Sequence, residues 1–271
     1  EGGHNGHNDA IHLGDSHHNF ISDYIINCNT YSDYVIQVGG NLGNDNVFQN
    51  INLTSTSGPT IGFLLKTDNN IIKNSTISIP TKDGESAICI GGSNNKICDT
   101  VITVDPDCWA TMRVSGVPTY LINTTHNHII SVEENGKMFF QRYLGGCVND
   151  TSENSIEGAI VTATDKNGNG IFSVLTGEDG CIETQILTEY EKNASGKTYS
   201  TPYTMTATKS GYTSDSKEVN LTESTDIYLT IQQEQGDIYY VSTSGNDSSD
   251  GQSIENAWRH IAYAAQQAQA G

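Results

Sequence analysis

HNFISDYIINC (residues 18–28), DNVFQNINLTS (45–55), NNIIKNSTISI (69–79), NNKICDTVITV (94–104) and HNHIISVEENG (126–136) decide the fold. Set under one another, each block has Asn second: Asn19, Asn46, Asn70, Asn95 and Asn127. Two positions on comes an apolar residue, at Ile21, Phe48, Ile72, Ile97 and Ile129. Four positions on, Asp23, Asn50, Asn74 and Asp99 are Asp or Asn, and seven on come Ile26, Leu53, Ile77 and Ile102. Second apolar runs lie between the blocks, starting at Ala10, Tyr34, Ile61, Ala87 and Thr111. Fixed polar and apolar positions at a period near 25 residues mark a stacked repeat.

One coil of this length cannot bury its own apolar side. Stacking coils sets Ile on Ile and Asn on Asn, and buries a continuous core. Stacked Asn side chains hydrogen-bond along the ladder, and Gly pairs allow tight corners. The blocks resemble those of the right-handed parallel β-helix family, the pectate-lyase-like superfamily, over roughly residues 5–135. That resemblance implies a fold, assigned here to residues 1–137. It implies no single activity, because such helices serve as lyases, adhesins, tailspikes and scaffolds alike.

Composition agrees with β structure and narrows the partners. The chain has 271 residues, 32 Asp plus Glu against 13 Lys plus Arg, and a net charge of −19. The charge is spread: −8 over residues 1–137, −7 over 138–233 and −4 over 234–271. Without a basic footprint, nucleic acid and anionic membrane surfaces are poor partners. No apolar run approaches 18 residues, so no membrane insertion is expected. The polar opening at Glu1 reads as a cytosolic start or a processed one.

Residues 138–233 change to short alternating strands separated by polar turns. Candidate strands begin at Gly158, Gly170, Cys181, Tyr203, Lys217 and Asp226. The GAIVTATD opening, the TGEDG turn and the YTMTATKSGYTSDSKEVNL close resemble the carboxypeptidase-regulatory-like, immunoglobulin-like β-sandwich. The resemblance implies an antiparallel spacer or adhesive module. Asp165, Asn167 and Asn169, followed by Gly170, imitate the start of a calcium loop. Position 176 carries Thr where an EF-hand needs an acid, so a plain β-turn is the favoured reading.

Residues 234–271 read as a strand (IYYVSTSG), a Gly/Asp turn and a helix with Ser253 as N-cap. Trp258, Ile261, Ala262 and Ala265 are expected on one helix face. This element resembles the opening strand and capping helix of secreted β-helix proteins, where it precedes the first coils. Here it follows them. One reading is intermolecular: the tail of one subunit caps the coils of the next, a heterologous contact that builds filaments or lattices. The alternatives are a segment of a longer array of such modules, and a tail that caps its own chain. In the first reading Tyr239, Tyr240, Val241, Trp258 and Ile261 form the donor side. Ile11, Leu13, Phe20 and Ile21 form the acceptor side.

Six cysteines without a C-x-x-C spacing exclude zinc-ribbon and thioredoxin readings. Cys147 and Cys181 both fall in the sandwich and are the preferred disulfide. Cys89 and Cys98 flank a Gly-Gly-Ser-Asn-Asn turn and are a second candidate pair; Cys28 and Cys108 are left as buried thiols or links between subunits. An oxidising compartment is expected. Seven N-x-S/T sequons occur. Asn52, Asn123, Asn149, Asn193, Asn220 and Asn246 are glycosylation candidates, whereas Asn74 is expected inside, on the Asn ladder. His4, His7, His12, His17 and His18 are read as polar corner residues of the first coil rather than a metal site.

No catalytic constellation maps onto the chain. Arg113, Asp105 and Asp107 lie near Trp109 and Tyr120, aromatic residues suited to sugar stacking. The expectation is therefore no enzyme and no cofactor, with calcium as a weak alternative. Taken together, the modules resemble archaeal-type secreted cell-surface proteins. That resemblance implies a structural subunit of an extracellular filament, sheath or lattice, polymerising head to tail. The alternative is a carbohydrate-binding or polysaccharide-lyase-like surface protein.

Overall fold

The computed structural model describes residues 10–28, 34–40, 43–55, 61–79 and 86–267. Half of the chain is strand and 3% is helix. Successive coils each supply three short strands. The first holds β1 (Ile11–Leu13), β2 (Phe20–Ser22) and β3 (Ile25–Cys28); the second β4 (Tyr34–Val38), β5 (Val47–Gln49) and β6 (Asn52–Ser55). The third holds β7 (Ile61–Leu65), β8 (Ile71–Lys73) and β9 (Thr76–Ile79), followed by β10 (Ser86–Ile90), β11 (Asn95–Cys98) and β12 (Val101–Val104). Then come β13 (Ala110–Val114), β14 (Thr119–Ile122) and β15 (Thr125–His126), with β16 (Ile130–Val132) beginning one more turn. Corresponding strands pair in parallel into three sheets: β1-β4-β7-β10-β13-β16, β2-β5-β8-β11-β14, and β3-β6-β9-β12-β15.

The repeat positions explain this geometry. Phe48, Ile72 and Ile97 point inward from the second sheet, and Leu53, Ile77 and Ile102 from the third; all are fully buried. Each buried aliphatic side chain contributes about 2 kcal/mol. Two corners flank the second sheet, and both demand a left-handed backbone. His18, Asp45, Asn69 and Asn94 take φ of 58–61° at one, and Asp23, Asn50, Asn74, Asp99 and Asn123 take 46–62° at the other. Asn and Asp tolerate this region better than other side-chain-bearing residues. Asn74 therefore sits on an exposed corner, not on the inner ladder.

The inner ladder is Asn19–Asn46–Asn70–Asn95. Nδ2 of each Asn donates to Oδ1 of the next at 2.8, 3.0 and 3.1 Å. Each Oδ1 also accepts the backbone N–H of the preceding rung. The ladder stops there, because Thr119 occupies the place above Asn95. Asn127, aligned with the ladder by its motif, is elsewhere: its side chain exchanges two hydrogen bonds with the backbone of Val104. Ile129 is correspondingly exposed. The coils approach so closely at one corner that a Cβ on Gly116 would lie 1.7 Å from the carbonyl oxygen of Gly92.

The outward face of the third sheet is also regular. Ile25, Asn52, Thr76, Val101 and Thr125 form one file in register. Asn27, Thr54, Ser78 and Thr103 form a parallel one.

Strand β17 (Met138–Asn149) belongs to both modules. Its first residues pair in parallel with β14, and Leu144–Asn149 pair in parallel with β24 (Thr225–Thr230). Antiparallel to it runs β20 (Gln185–Asn193), extended by β21 (Gly196–Tyr199). The opposing sheet is β19-β18-β22-β23, built from β18 (Ile160–Thr164), β19 (Gly170–Leu175), β22 (Tyr203–Thr208) and β23 (Asp215–Val219). Val161, Ala163, Leu187, Tyr203, Met205 and Leu229 fill the space between. The strand expected from Cys181 thus starts at Gln185. Cys181 itself bridges Cys147 and is bonded to it.

The tail differs most from expectation. IYYVSTSG forms no strand: Val241 makes a single parallel bridge, to Trp258. The helix is α1 (Ile261–Gln267), beginning eight residues after Ser253. Ser253 Oγ instead closes a turn by accepting Asn256 N–H. The chain is fixed just before the helix by Asp247, whose Oδ1 accepts the N–H groups of Arg259 and His260 at 2.8 and 3.0 Å.

Candidate assembly surfaces

The two ends of the β-helix are built differently. At the far end, the sandwich closes it. Phe140 and Tyr190 stack with centroids 4.2 Å apart and join the β-helix core together with Met138. Lys192 Nζ donates to the carbonyl oxygen of Ile130 on the edge strand β16. Arg142 donates through Nε to Glu189 Oε2 at 3.0 Å, so both charges are satisfied where the sheets join. Of these groups, Met138, Phe140 and Arg142 lie in the run MFFQRYLGGCV, whereas Glu189, Tyr190 and Lys192 come from β20.

At the near end, among the described residues, β1, β2 and β3 are each the last strand of their sheet. A terminal parallel strand carries a row of backbone donors and acceptors without a neighbouring strand. Ile11, Leu13, Ile21 and Ile26 pack against the core but are only half buried. Their partners one coil further in, Ile36, Val38, Phe48 and Leu53, are fully buried. Phe20 and Ile25, on the outer side, are 63% and 74% exposed. Three of the four acceptor residues read from sequence, Ile11, Leu13 and Ile21, are therefore truncated core positions, and Phe20 flanks them.

The donor residues separate into two groups. Trp258 is 4% exposed. It stacks on Tyr239 at 4.9 Å, meets Tyr263 edge-on at 5.8 Å, and donates Nε1–H to the carbonyl oxygen of Ser249 at 2.7 Å. Its ring forms the core of the tail, in which Ala257 and Ala264 are also buried. It is therefore buried within its own chain, and Ala262 and Ala265, expected beside it, are exposed. Tyr240, Val241 and Ile261 are exposed, Ile261 by 77%, and so are Ile238 and Ile254, which the sequence reading left out.

The remaining candidates fall as follows. Cys89 and Cys98 are not joined: they face outward from different sheets, β10 and β11. Burial, then the neighbouring Asp99 carboxylate, push the Cys98 thiol up to about 11. The Asp165 carboxylate is engaged by its own turn, accepting N–H from Asn167 and Asn169 and the Asn169 amide. Those bonds hold its carboxyl below the usual carboxylate range. Among the described residues no three His, Cys, Asp or Glu side chains converge as for a metal ion. His4 and His7 lie outside the described residues; His12 is exposed on β1, and His18 takes a corner 3.9 Å from Asp45.

Of the sequons, Asn52, Asn193, Asn220 and Asn246 are exposed and Asn149 is half buried in β17. Asn123 is half buried and fully engaged: Nδ2 donates to Asp99 and Oδ1 accepts from Ser224. That engagement argues against modification at Asn123. Arg113 pairs with Glu133 at 3.1 Å, Asp105 accepts the N–H of Asp107, and Trp109 is half exposed. Tyr120 stacks on Phe139 at 5.3 Å, away from them on the second sheet.

No protein-family model matches the chain, and no curated protein matches it significantly. Among solved structures, it is similar to two mutant forms of the shaft pilin spaA from Lactobacillus rhamnosus GG. One overlap has a TM-score of 0.31 and 16% identity, covering 41% of this chain and 54% of the pilin. The other has a TM-score of 0.28 and 17% identity, covering 37% and 52%. The chain thus spans about half the length of these pilin structures. No described helix is long and apolar enough to cross a membrane.

Proposed function

We propose that this protein is a structural, non-enzymatic subunit of an extracellular cell-surface filament, sheath or lattice. Subunits join head to tail, the tail of one docking on β1–β3 of the next. The observation that carries this reading is the asymmetry of the β-helix among the described residues: the sandwich closes one end, whereas at the other β1, β2 and β3 are the last strands of their sheets, over half-buried Ile11, Leu13, Ile21 and Ile26. The tail offers matching apolar groups at Tyr240, Val241 and Ile261. A contact between unlike surfaces propagates rather than closing on itself. The module order also supports a place among archaeal-type secreted proteins of the pectate-lyase-like kind, and the disulfide fits an oxidising compartment.

Negative-stain electron microscopy of native, unheated protein tests this. Ordered filaments or tubes are expected. Val241→Asp with Ile261→Asp is expected to leave single particles with an unchanged far-ultraviolet spectrum. Unaltered polymers in that variant, or dispersed particles in the parent protein, overturn the reading.

A second reading, binding of surface glycans, is favoured by one feature. Tyr120 and Phe139 form an outward stacked pair with Lys96 and Lys137 beside the rings at 6.0 and 5.0 Å. Such a platform suits a saccharide ring. A glycan array on which Tyr120→Ala and the parent protein score alike would dismiss it.

A further inference from the structure

We infer that the outward face of the third sheet, β3-β6-β9-β12-β15, is a lateral contact between copies of this chain, through which filaments associate side by side. The inference rests on the filament reading and specifies a second interface within it. Of the three β-helix sheets, this is the one whose strands hold no Lys, Arg, Asp or Glu: the first carries Arg113, and the second Lys73 and Lys96. Its outward files consist of hydroxyl, amide and aliphatic groups, with Thr76 and Val101 aligned in one and Ser78 and Thr103 in the other.

Charge selects the occupant. Each copy carries a net charge of −19, so two copies repel wherever their acidic surfaces meet. A face without charges lets identical copies approach without burying an unpaired ion. Among the described residues, Asp23 and Asp99 at the corner before the sheet already accept side-chain bonds from Asn50 and Asn123, and Asp105, directly after β12 at the opposite rim, accepts the N–H of Asp107. A cationic partner gains nothing from a face without acids, and a nucleic acid would meet the net negative charge.

Area sets the strength. Five strands about 4.8 Å apart and about four residues long cover roughly 250 Å² per copy. The pair buries about 500 Å², well below the roughly 1,000 Å² of a specific stable interface. An isolated pair of subunits is therefore unstable. A row of subunits held in one filament sums many such contacts. Association is expected only after polymerisation, and increasingly as salt screens the residual repulsion.

The test is electron microscopy of polymerised protein at about 10 mM and about 500 mM salt, where the screening length falls several-fold. Two double variants, Thr76→Lys with Thr103→Lys and Thr76→Glu with Thr103→Glu, accompany the parent protein. The parent is expected as single filaments at low salt and as bundles at high salt, and both variants as single filaments at either. A general charge effect would instead make the Lys variant bundle more readily and the Glu variant less, and that result overturns the inference, as does bundling equal to the parent in both variants. An absence of filaments in the parent overturns the head-to-tail reading and this inference with it. Mass spectrometry adds an independent check: a glycan on Asn52 of β6 in most native copies would stand on the face and overturn the contact.

Discussion

The carboxylate of Asp99, at a corner of the β-helix, accepts a 2.8 Å hydrogen bond from the hydroxyl of Tyr143, on the strand that runs on into the sandwich. Asp99 also accepts from Asn123, Asn123 accepts from Ser224, and Ser224 accepts the backbone N–H of Tyr143. The corner stack thus ends in a closed circuit that ties the last coils to the sandwich. Burial and the Asp99 carboxylate push the Tyr143 phenol well above the usual tyrosine range.

Tyr143→Phe removes the hydroxyl and leaves Asp99 bonded to Asn123. A hydrogen bond to a charged group contributes about 1.5–3 kcal/mol, and partial exposure reduces that here. The expected loss is about 1–2 kcal/mol, seen by calorimetry as a fall of about 2–6 °C. Ultraviolet titration provides a second readout: the difference between the parent and variant curves, which isolates Tyr143, should rise only above the usual tyrosine range. Identical titration curves, scaled for tyrosine number, would disprove the assigned environment.

The inner ladder gives a paired prediction. Asn70→Ala takes the acceptor from the buried backbone N–H of Asn46 and a donor from Asn95. An orphaned buried donor costs about 1–3 kcal/mol, and the lost side chain leaves a small void, so a loss of about 2–4 kcal/mol is expected. Thr119, where the ladder ends, has a buried hydroxyl with no partner. Thr119→Val replaces it with a methyl of the same shape, and the change should be neutral or stabilising by up to about 1 kcal/mol. Chemical denaturation of both variants tests the ladder; equal destabilisation by the two would contradict it.

The contrast between Asn70 and Asn127 shows what was legible. The period carried the parallel coils, because a buried Asn rung and its apolar neighbours must recur at each turn. It could not reveal that Thr119 replaces the fifth rung, since the motif reappears a few residues later with Asn127 in another role. Parity alone places Asn74 inward, whereas the left-handed corner turns its side chain out. Strand β17 was hidden because it serves two modules and follows neither pattern throughout. The burial of Trp258 is not legible from helix periodicity, because it depends on Tyr239 and on the Gly245 and Gly251 turns folding back over it. Of the proposed contact residues, the half-burial of the acceptor set follows from its place in the repeat, whereas the exposure of Tyr240, Val241 and Ile261 depends on the tail's own fold.

The Cys147–Cys181 bond closes a loop of 34 residues across the sandwich. Chain-entropy reasoning gives about 4 kcal/mol for a loop of that length. Cys147→Ser with Cys181→Ser should therefore destabilise the sandwich by about 2–4 kcal/mol while leaving the ladder of buried Asn side chains intact. Amide exchange resolved by segment would show this as faster exchange in β18, β20 and β22, with β8 and β11 unchanged. Uniform acceleration throughout the chain would mean that the shared strand β17 makes the two modules a single cooperative unit.

Cys98 lies on the outward side of β11 between Lys73 and Ile122 of the adjoining coils. Its thiol is raised to about 11, chiefly by burial and next by Asp99, with Lys96 and Lys73 opposing. Only a small fraction is thiolate at pH 8, and the thiolate is the reacting form. Alkylation of Cys98 by iodoacetamide should therefore be slow at pH 8 and rise about tenfold per pH unit until about pH 11. Asp99→Asn removes the second cause and should shift that curve to lower pH, whereas Lys96→Met should shift it higher. The rates are read by peptide mass spectrometry at Cys98 alone, so the other cysteines do not enter. A plateau already reached at pH 9 would show that the thiol is neither buried nor governed by the Asp99 corner.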